Sequence, residues 1–190
     1  PIGYLLEDGP HSLSSRLPQD RAQTRRIADV CSGSGCLGII AAHNFPNAEV
    51  TLIELDARAA ELARRNVVHH DLADRVSVAE GDALSVLAET PAGWDLIISN
   101  PPYVDAADMA ALPAEYLHEP VLGLAGGDDG LALVDSLLPL ILDKLDAHGL
   151  FICEVGASAA ALREKHAALP LVWPELYDGG EGVFLLEGSA

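Results

Sequence analysis

Basic residues are scarce in this sequence. Its 190 residues hold 11 Lys plus Arg against 29 Asp plus Glu, a formal net charge of −18. That balance argues against a broad basic face gripping phosphate backbones, so stable nucleic-acid binding is not expected. A basic protein partner is compatible with it, because a negative field steers cations inward. Cysteine is also sparse. Cys31, Cys36 and Cys153 are odd in number and contain no C-x-x-C pair, which excludes a disulfide framework. Their apolar neighbours Val30, Leu37, Ile152 and Val155 predict buried thiols behaving as small hydrophobes, in a reduced, cytoplasmic setting. Metal-ligand spacing is missing: no H-E-x-x-H or Cys/His pattern occurs, and His69 and His70 are adjacent and point apart on a helix, so no metal is expected. No apolar run approaches the roughly 18 residues of a membrane span, and no signal-peptide pattern opens the chain; no membrane partner is expected.

What remains is a globular composition, 49% hydrophobic and 21% charged, with enough length for one core. Ile2, Tyr4, Leu5 and Leu6 predict a short helix or a docking segment, and Pro10 to Thr24 a polar connection. From Arg26 onward strands and helices alternate. Strands are expected at Arg26–Cys31, Glu49–Leu55, Arg75–Ala79, Asp95–Ser99 and Leu150–Val155. Helices are expected at Gly35–Asn44, Ala57–His70, Gly130–Ala147 and Ser158–Leu169, the last with Ser158 as N-cap. Leu171–Tyr177 and Gly182–Leu186 read as a closing hairpin across Asp178-Gly179-Gly180. The alternation predicts an α/β fold with a mostly parallel sheet and an antiparallel end. Ligands of such sheets bind beyond the carboxyl ends of the strands.

Three features fall at those ends. After the first strand, Gly33, Gly35 and Gly38 form G-x-G-x-x-G, preceded by Asp29; the glycines permit a sharp turn and close approach of backbone to a ligand. Glu54 ends the second strand, where a carboxylate accepts hydrogen bonds from two ribose hydroxyls. Asp56 is a second candidate there, or the N-cap of the next helix. Asp82, after the third strand, is either an acceptor for an adenine amino group or another N-cap. This set fits a dinucleotide or S-adenosylmethionine, and the fourth strand separates them. It runs into Asn100-Pro101-Pro102-Tyr103. The prolines hold Asn100 extended. The Asn100 side-chain oxygen and the Pro101 carbonyl can accept both hydrogens of an –NH2 group, with Tyr103 as an aromatic wall.

D-x-x-x-G-S-G with N-P-P-Y resembles the class I S-adenosylmethionine-dependent methyltransferases acting on planar –NH2 groups. The stretches Leu112-Pro113-Ala114-Glu115-Tyr116-Leu117-His118-Glu119-Pro120, Leu124 to Leu131, Cys153-Glu154-Val155-Gly156 and Asp178 to Phe184 resemble the protein N(5)-glutamine methyltransferases, and within them the enzymes modifying large-subunit ribosomal protein L-three. Release-factor enzymes are the alternative substrate branch, and adenine amino methylation of nucleic acid a more distant one.

The resemblance implies a Rossmann-like fold with a seven-stranded sheet and an antiparallel C-terminal hairpin. It implies S-adenosylmethionine as cofactor, held by Asp29, Cys31, Gly33, Gly35, Glu54, Leu55, Asp82, Ala83 and Asn100. Asn100, Pro101, Pro102 and Tyr103 would be catalytic, with Asn100, Pro102, Tyr103 and Glu119 touching a basic protein substrate. Glu119 could equally order its loop, and Asp29 could bond the glycine loop or approach the cofactor's amino group. Glu54 replaces the Asp common in the family, and Leu117 the usual Arg. The family usually carries an N-terminal helical domain, and Pro1-Ile2 resembles the segment just after it. Residues 1–25 are therefore expected to connect to that domain and 26–190 to form the catalytic domain.

Overall fold

The computed structural model describes residues 2–6, 21–102, 130–174 and 182–188. Over these, β1 (Arg26–Val30), β2 (Glu49–Glu54), β3 (Val76–Glu80), β4 (Trp94–Ser99), β5 (Leu145–Glu154) and β6 (Val183–Glu187) form one sheet in the order β3-β2-β1-β4-β5-β6. All pairs are parallel except β5 with β6. The helices are α1 (Ile2–Leu6), α2 (Cys36–Asn44), α3 (Ala57–His69), α4 (Ala83–Glu89), α5 (Ala132–Lys144) and α6 (Ala159–Lys165). They cover both faces, and two apolar clusters result. Ile27, Leu52, Leu96, Ile98 and Ile152 face α1, α2 and α3; Ala28, Ile53, Ile97, Phe151 and Phe184 face α4, α5 and α6. Burial on both faces explains the uninterrupted Leu96-Ile97-Ile98 run, each side chain at most 1% exposed. Ile2, Leu5 and Leu6 are buried in the first cluster, so the opening apolar segment is both a short helix and a docked one.

Several expected elements are corrected. The sheet has six strands among the described residues, where seven were expected. Of the segment expected as a strand at Leu171–Tyr177, residues 171–174 are described and contribute one antiparallel bridge, Val172 with Leu185. Pro170 and Pro174 flank that bridge, and neither can donate to a ladder. The turn of the expected hairpin, Asp178-Gly179-Gly180, lies outside the described residues. Ser158 stands at the N-cap of α6 as expected but makes no side-chain capping bond, and a short 3-10 turn, Gly156–Ser158, leads into the helix. The fifth strand begins at Leu145, five residues before the expected start, with a register shift between Trp94 and Leu96. Gly149 permits that shift, because a Cβ there would lie 2.4 Å from the Trp94 carbonyl oxygen.

The start of β6 imposes a further backbone requirement. Gly182 has φ +99°, and a Cβ there would sit 2.3 Å from the oxygen and 2.6 Å from the nitrogen of Gly156. These are backbone atoms that have no rotamer to escape into. Gly182→Ala is expected to cost about 3 kcal/mol or more, combining left-handed strain with overpacking. Urea unfolding followed by circular dichroism measures this, and a loss below about 1 kcal/mol would show that the two turns are not locked together.

Candidate active site

The site forms where β1, β2 and β4 release the chain. β1 stops at Val30 because Cys31 turns into the left-handed region, with φ 61°, uncommon for a residue with a side chain. Gly33 and Gly35 follow at φ 56° and 83°, conformations glycine adopts without steric cost. The loop is tied down from three sides. Ser32 N donates to the Ile53 carbonyl at 3.0 Å, Gly35 N to the Ser32 carbonyl at 2.8 Å, and Asn66 Nδ2 on α3 to the Ser34 carbonyl at 2.9 Å. Gly38, in the first turn of α2, packs so closely that a Cβ would overlap Leu52 and approach Asp29 Oδ2 to 3.0 Å.

Carboxylates accept from two donors of this turn and from one just beyond β2. Glu54 Oε2 accepts from Gly33 N at 2.7 Å and Oε1 from Asp56 N at 2.8 Å. Asp29 is completely buried, and its Oδ2 accepts from Gly38 N at 2.8 Å. Two backbone N–H groups of this turn, those of Gly33 and Gly38, are thus bonded to acidic side chains. Each Glu54 oxygen keeps a second acceptor position, and the two backbone bonds fix where those positions point. Asp82 caps α4: its Oδ2 accepts from Ser85 N at 2.9 Å and Ser85 Oγ at 2.8 Å. Asp56 caps α3 through Arg58 N and Ala59 N. Both N-cap readings therefore hold.

Electrostatics follow from this packing. Burial pushes the Asp29 carboxyl up to about 7; the Gly38 N–H opposes the rise and the Glu54 charge adds to it. Burial, and then the charges of Glu54, Asp29 and Asp82, push the Cys31 thiol up to about 12. The Ser85 hydroxyl and N–H hold Asp82 below the usual carboxylate range. The cysteines are not uniformly buried: Cys153 is, Cys31 is partly so, and Cys36 is exposed with Sγ 3.2 Å from Ser34 Oγ. Position decides this. Cys153 lies inside a strand, whereas Cys36 opens a helix at the loop.

Asn100 follows β4 directly and is exposed, with Pro101 buried and Pro102 partly buried behind it. Ser99 is fully buried, and its Oγ donates to the Val30 carbonyl at 2.8 Å. That bond joins the strand end carrying Asn100 to the strand end carrying the glycine loop. Nothing in the sequence pattern distinguished Ser99, Ser32 or Asn66, since a hydroxyl or amide bonding a distant backbone leaves no periodicity. Of the other expected residues, Leu55 stands 55% exposed on the rim beside Glu54, and Ala83 is buried as the first residue of α4. Tyr103 and Glu119 lie outside the described residues.

Unpartnered polar atoms and negative charge gather at the glycine turn. Asp29 Oδ1 and Ser32 Oγ are buried without a hydrogen-bond partner among the described residues, a condition costly enough to call for a ligand or water. A Cβ built at Gly33 meets nothing within 4 Å, leaving open space above the loop. Three carboxylates, Asp29, Glu54 and Asp82, act on Cys31, which disfavours phosphate and favours ammonium and hydroxyl donors.

Fold and site together define a methyltransferase domain. The family model for the methyltransferase small domain matches residues 5–119, and the chain belongs to that family. The ribosomal protein uL3 glutamine methyltransferase of Bradyrhizobium diazoefficiens is 41% identical over 190 residues, covering 99% of this chain and 59% of that protein. The enzyme of the same name from Bordetella pertussis is 38% identical over 98% of this chain and 60% of its own length. This chain thus spans about three-fifths of the curated relatives it matches. Among solved structures, the N-terminal domain of human METTL16 in complex with SAH superposes with a TM-score of 0.61 at 19% identity, over 90% of this chain and 64% of that one. At that identity the likeness concerns the fold.

Proposed function

We propose that the chain is the catalytic core of an S-adenosylmethionine-dependent methyltransferase acting on the side-chain amide of a glutamine in ribosomal protein uL3. The observation carrying this reading is an exposed asparagine, braced by a buried proline and by Ser99, at a strand end bonded to the one that carries a glycine turn with two backbone donors bonded to carboxylates. S-adenosylmethionine, when bound, supplies an electrophilic methyl carbon on a sulfonium. Asp29 and Glu54 would hold it by its amino group and ribose, with Asp82 and Leu55 lining the base and Gly33 leaving room for it.

The remaining work belongs to the protein. An amide nitrogen is a poor nucleophile because its lone pair is delocalised into the carbonyl. The Asn100 side-chain oxygen and the Pro101 carbonyl accept its two N–H groups, which fixes the nitrogen and raises its electron density as it becomes tetrahedral. Holding reacting atoms about 3–3.5 Å apart supplies a further part of the rate. The product nitrogen is acidic while cationic and loses its proton late, so a strong base is unnecessary. Tyr103 would flank the amide and Glu119 touch the substrate.

The net charge of −18 supports a basic protein substrate over nucleic acid. The relatives' names favour uL3 over release factors, and with a ribosomal substrate the setting is cytoplasmic. Incubation with methyl-labelled cofactor and uL3, followed by peptide mapping, tests the reading. Label on one glutamine is the expected result; label on release factor, on adenine or on another side chain contradicts it.

A further inference from the structure

Two parallel strands end together at the site. In the register of β1 with β4, Val30 lies opposite Ser99, so the next residues, Cys31 and Asn100, leave their strands side by side. Cys31 opens the glycine turn, and Asn100 is the proposed amide acceptor. Pro101 and Pro102 have no N–H, so past Asn100 that segment cannot donate to β1. At this edge a side chain supplies a cross-strand bond: Ser99 Oγ donates to the Val30 carbonyl at 2.8 Å. Packing alone does not call for a hydroxyl there. Val30, Ile97 and Cys153 belong to the cluster facing α4, α5 and α6, and alternation along β4 puts Ser99 on the face of Ile97. Ser99 is fully buried. An apolar side chain of similar size would suit such surroundings, whereas a buried hydroxyl is costly unless it is bonded.

The bond holds the peptide from which the glycine turn springs. The Val30 carbonyl belongs to the peptide joining Val30 to Cys31, and rotating that peptide changes the φ of Cys31. Cys31 stands at φ 61°, an unfavourable value for a residue with a Cβ. Strain therefore tends to rotate the peptide, and the Ser99 hydroxyl opposes the rotation. Three other ties of the turn run to β2 and α3: Ser32 N to the Ile53 carbonyl, Gly33 N to Glu54, and Asn66 Nδ2 to the Ser34 carbonyl. They shape the turn but do not place it against β4.

We infer that Ser99 is a positioning residue for methyl transfer: through the Val30 carbonyl, its hydroxyl sets the line between the nitrogen held at Asn100 and the methyl carbon of a cofactor bound at the glycine turn. This rests on the glutamine-methylation reading above and adds to it a residue that touches neither reactant. In the transfer the amide nitrogen bonds to the methyl carbon as the carbon–sulfur bond breaks. That electron pair stays on sulfur, and a proton on the nitrogen goes to solvent. Displacement of this kind depends steeply on alignment, and a shift of about 1 Å can cost roughly a hundredfold in rate.

The test compares Ser99→Ala and Ser99→Thr with wild type. It adds Ile97→Val, which truncates a fully buried neighbour at a similar cost in stability and leaves the bond intact. Single-turnover rates on uL3 are read with both reactants saturating, and cofactor affinity is read by calorimetry. A further readout needs no turnover. It is the affinity for an S-adenosylhomocysteine analogue with nitrogen in place of sulfur, joined by a short carbon bridge to the side-chain amide nitrogen of a glutamine, so that one molecule spans both halves of the site. Ser99→Ala is expected to slow transfer roughly ten- to a hundredfold, to weaken the bridged analogue by about the same factor, and to leave cofactor affinity within about threefold. Ser99→Thr should recover part of both losses, and Ile97→Val should show neither. An unchanged rate in Ser99→Ala, an equal loss in Ile97→Val, a rate loss matched by lost cofactor affinity, or a slowed rate with the analogue bound as in wild type would overturn the inference. Wild-type label on adenine amino groups and none on glutamine would instead defeat the proposed function, and the rate comparison on adenine would still judge Ser99.

Discussion

Asn100→Ala is expected to lower kcat for glutamine methylation about 10²–10³-fold, the range found when one preorganised transition-state partner is removed, while cofactor affinity changes less than about threefold. The geometry separates the two effects. Asn100 is exposed, whereas the backbone around it is held by buried Ser99, bonded to the Val30 carbonyl, and by buried Pro101. Truncating the side chain removes the proposed acceptor for the amide nitrogen and leaves the strand end where it was, so the melting temperature should not move. Glu54→Ala should give the reciprocal pattern. It removes the proposed ribose acceptors and also strands Gly33 N and Asp56 N, which Glu54 now satisfies, so cofactor affinity should fall about tenfold or more. Single-turnover kinetics with cofactor titration by calorimetry distinguishes the two variants. Loss of cofactor binding in Asn100→Ala, with chemistry otherwise normal at saturation, would contradict the assigned roles.

The second large effect is a pH dependence set by Asp29. Its carboxyl lies near 3.8 in an unstructured chain and is raised to about 7 in the fold. Between those values the native state binds a proton that the unfolded state has released. This contribution therefore makes stability fall as pH rises from about 4 to 7, and the penalty is complete above 7. Its full size is a few kcal/mol. Other carboxylates oppose it; Asp82, held low by Ser85, gains stability as pH rises toward and through its unfolded value. The difference between wild type and Asp29→Asn isolates the Asp29 part. In chemical denaturation from pH 4 to pH 8.5, the Asp29→Asn variant should become progressively more stable relative to wild type up to about pH 7, and the difference should then level off. A pH-independent difference would mean that Asp29 ionises normally in the fold. The same proton bears on ligand binding. An ammonium group approaching the unpartnered Oδ1 favours the ionised form, so cofactor affinity should rise with pH through about 7 in the wild type and not in Asp29→Asn.

Much of this was legible in the sequence for local reasons. The Leu96-Ile97-Ile98 run could only be a strand buried on both faces, and α3 declares itself through Asp56 at its cap and Ala60, Ala63 and Val67 on its buried face. G-x-G-x-x-G and N-P-P are also local statements about backbone, which is why they transfer. The two open alternatives for Asp29 and Asp82 turn on which atom bonds which, and three-dimensional packing decides that: one oxygen of each is spent on a helix N-terminus. That residues 171–174 form a single bridge and no strand was readable in Pro170 and Pro174, but the β-branched and aromatic residues between them outweighed the prolines. The bonds of Ser99 and Asn66 could not be read at all, since their partners lie 69 and 32 residues away in sequence.

With Glu54 and Asp29 bonded to two backbone donors of the glycine turn, the site is expected to favour a cationic nucleoside amino acid over a pyrophosphate. Calorimetric titration of the protein with S-adenosylmethionine and, separately, with NAD+ measures this directly. Saturable binding of S-adenosylmethionine with no detectable heat from NAD+ is the predicted result. Binding of NAD+ without S-adenosylmethionine would contradict it.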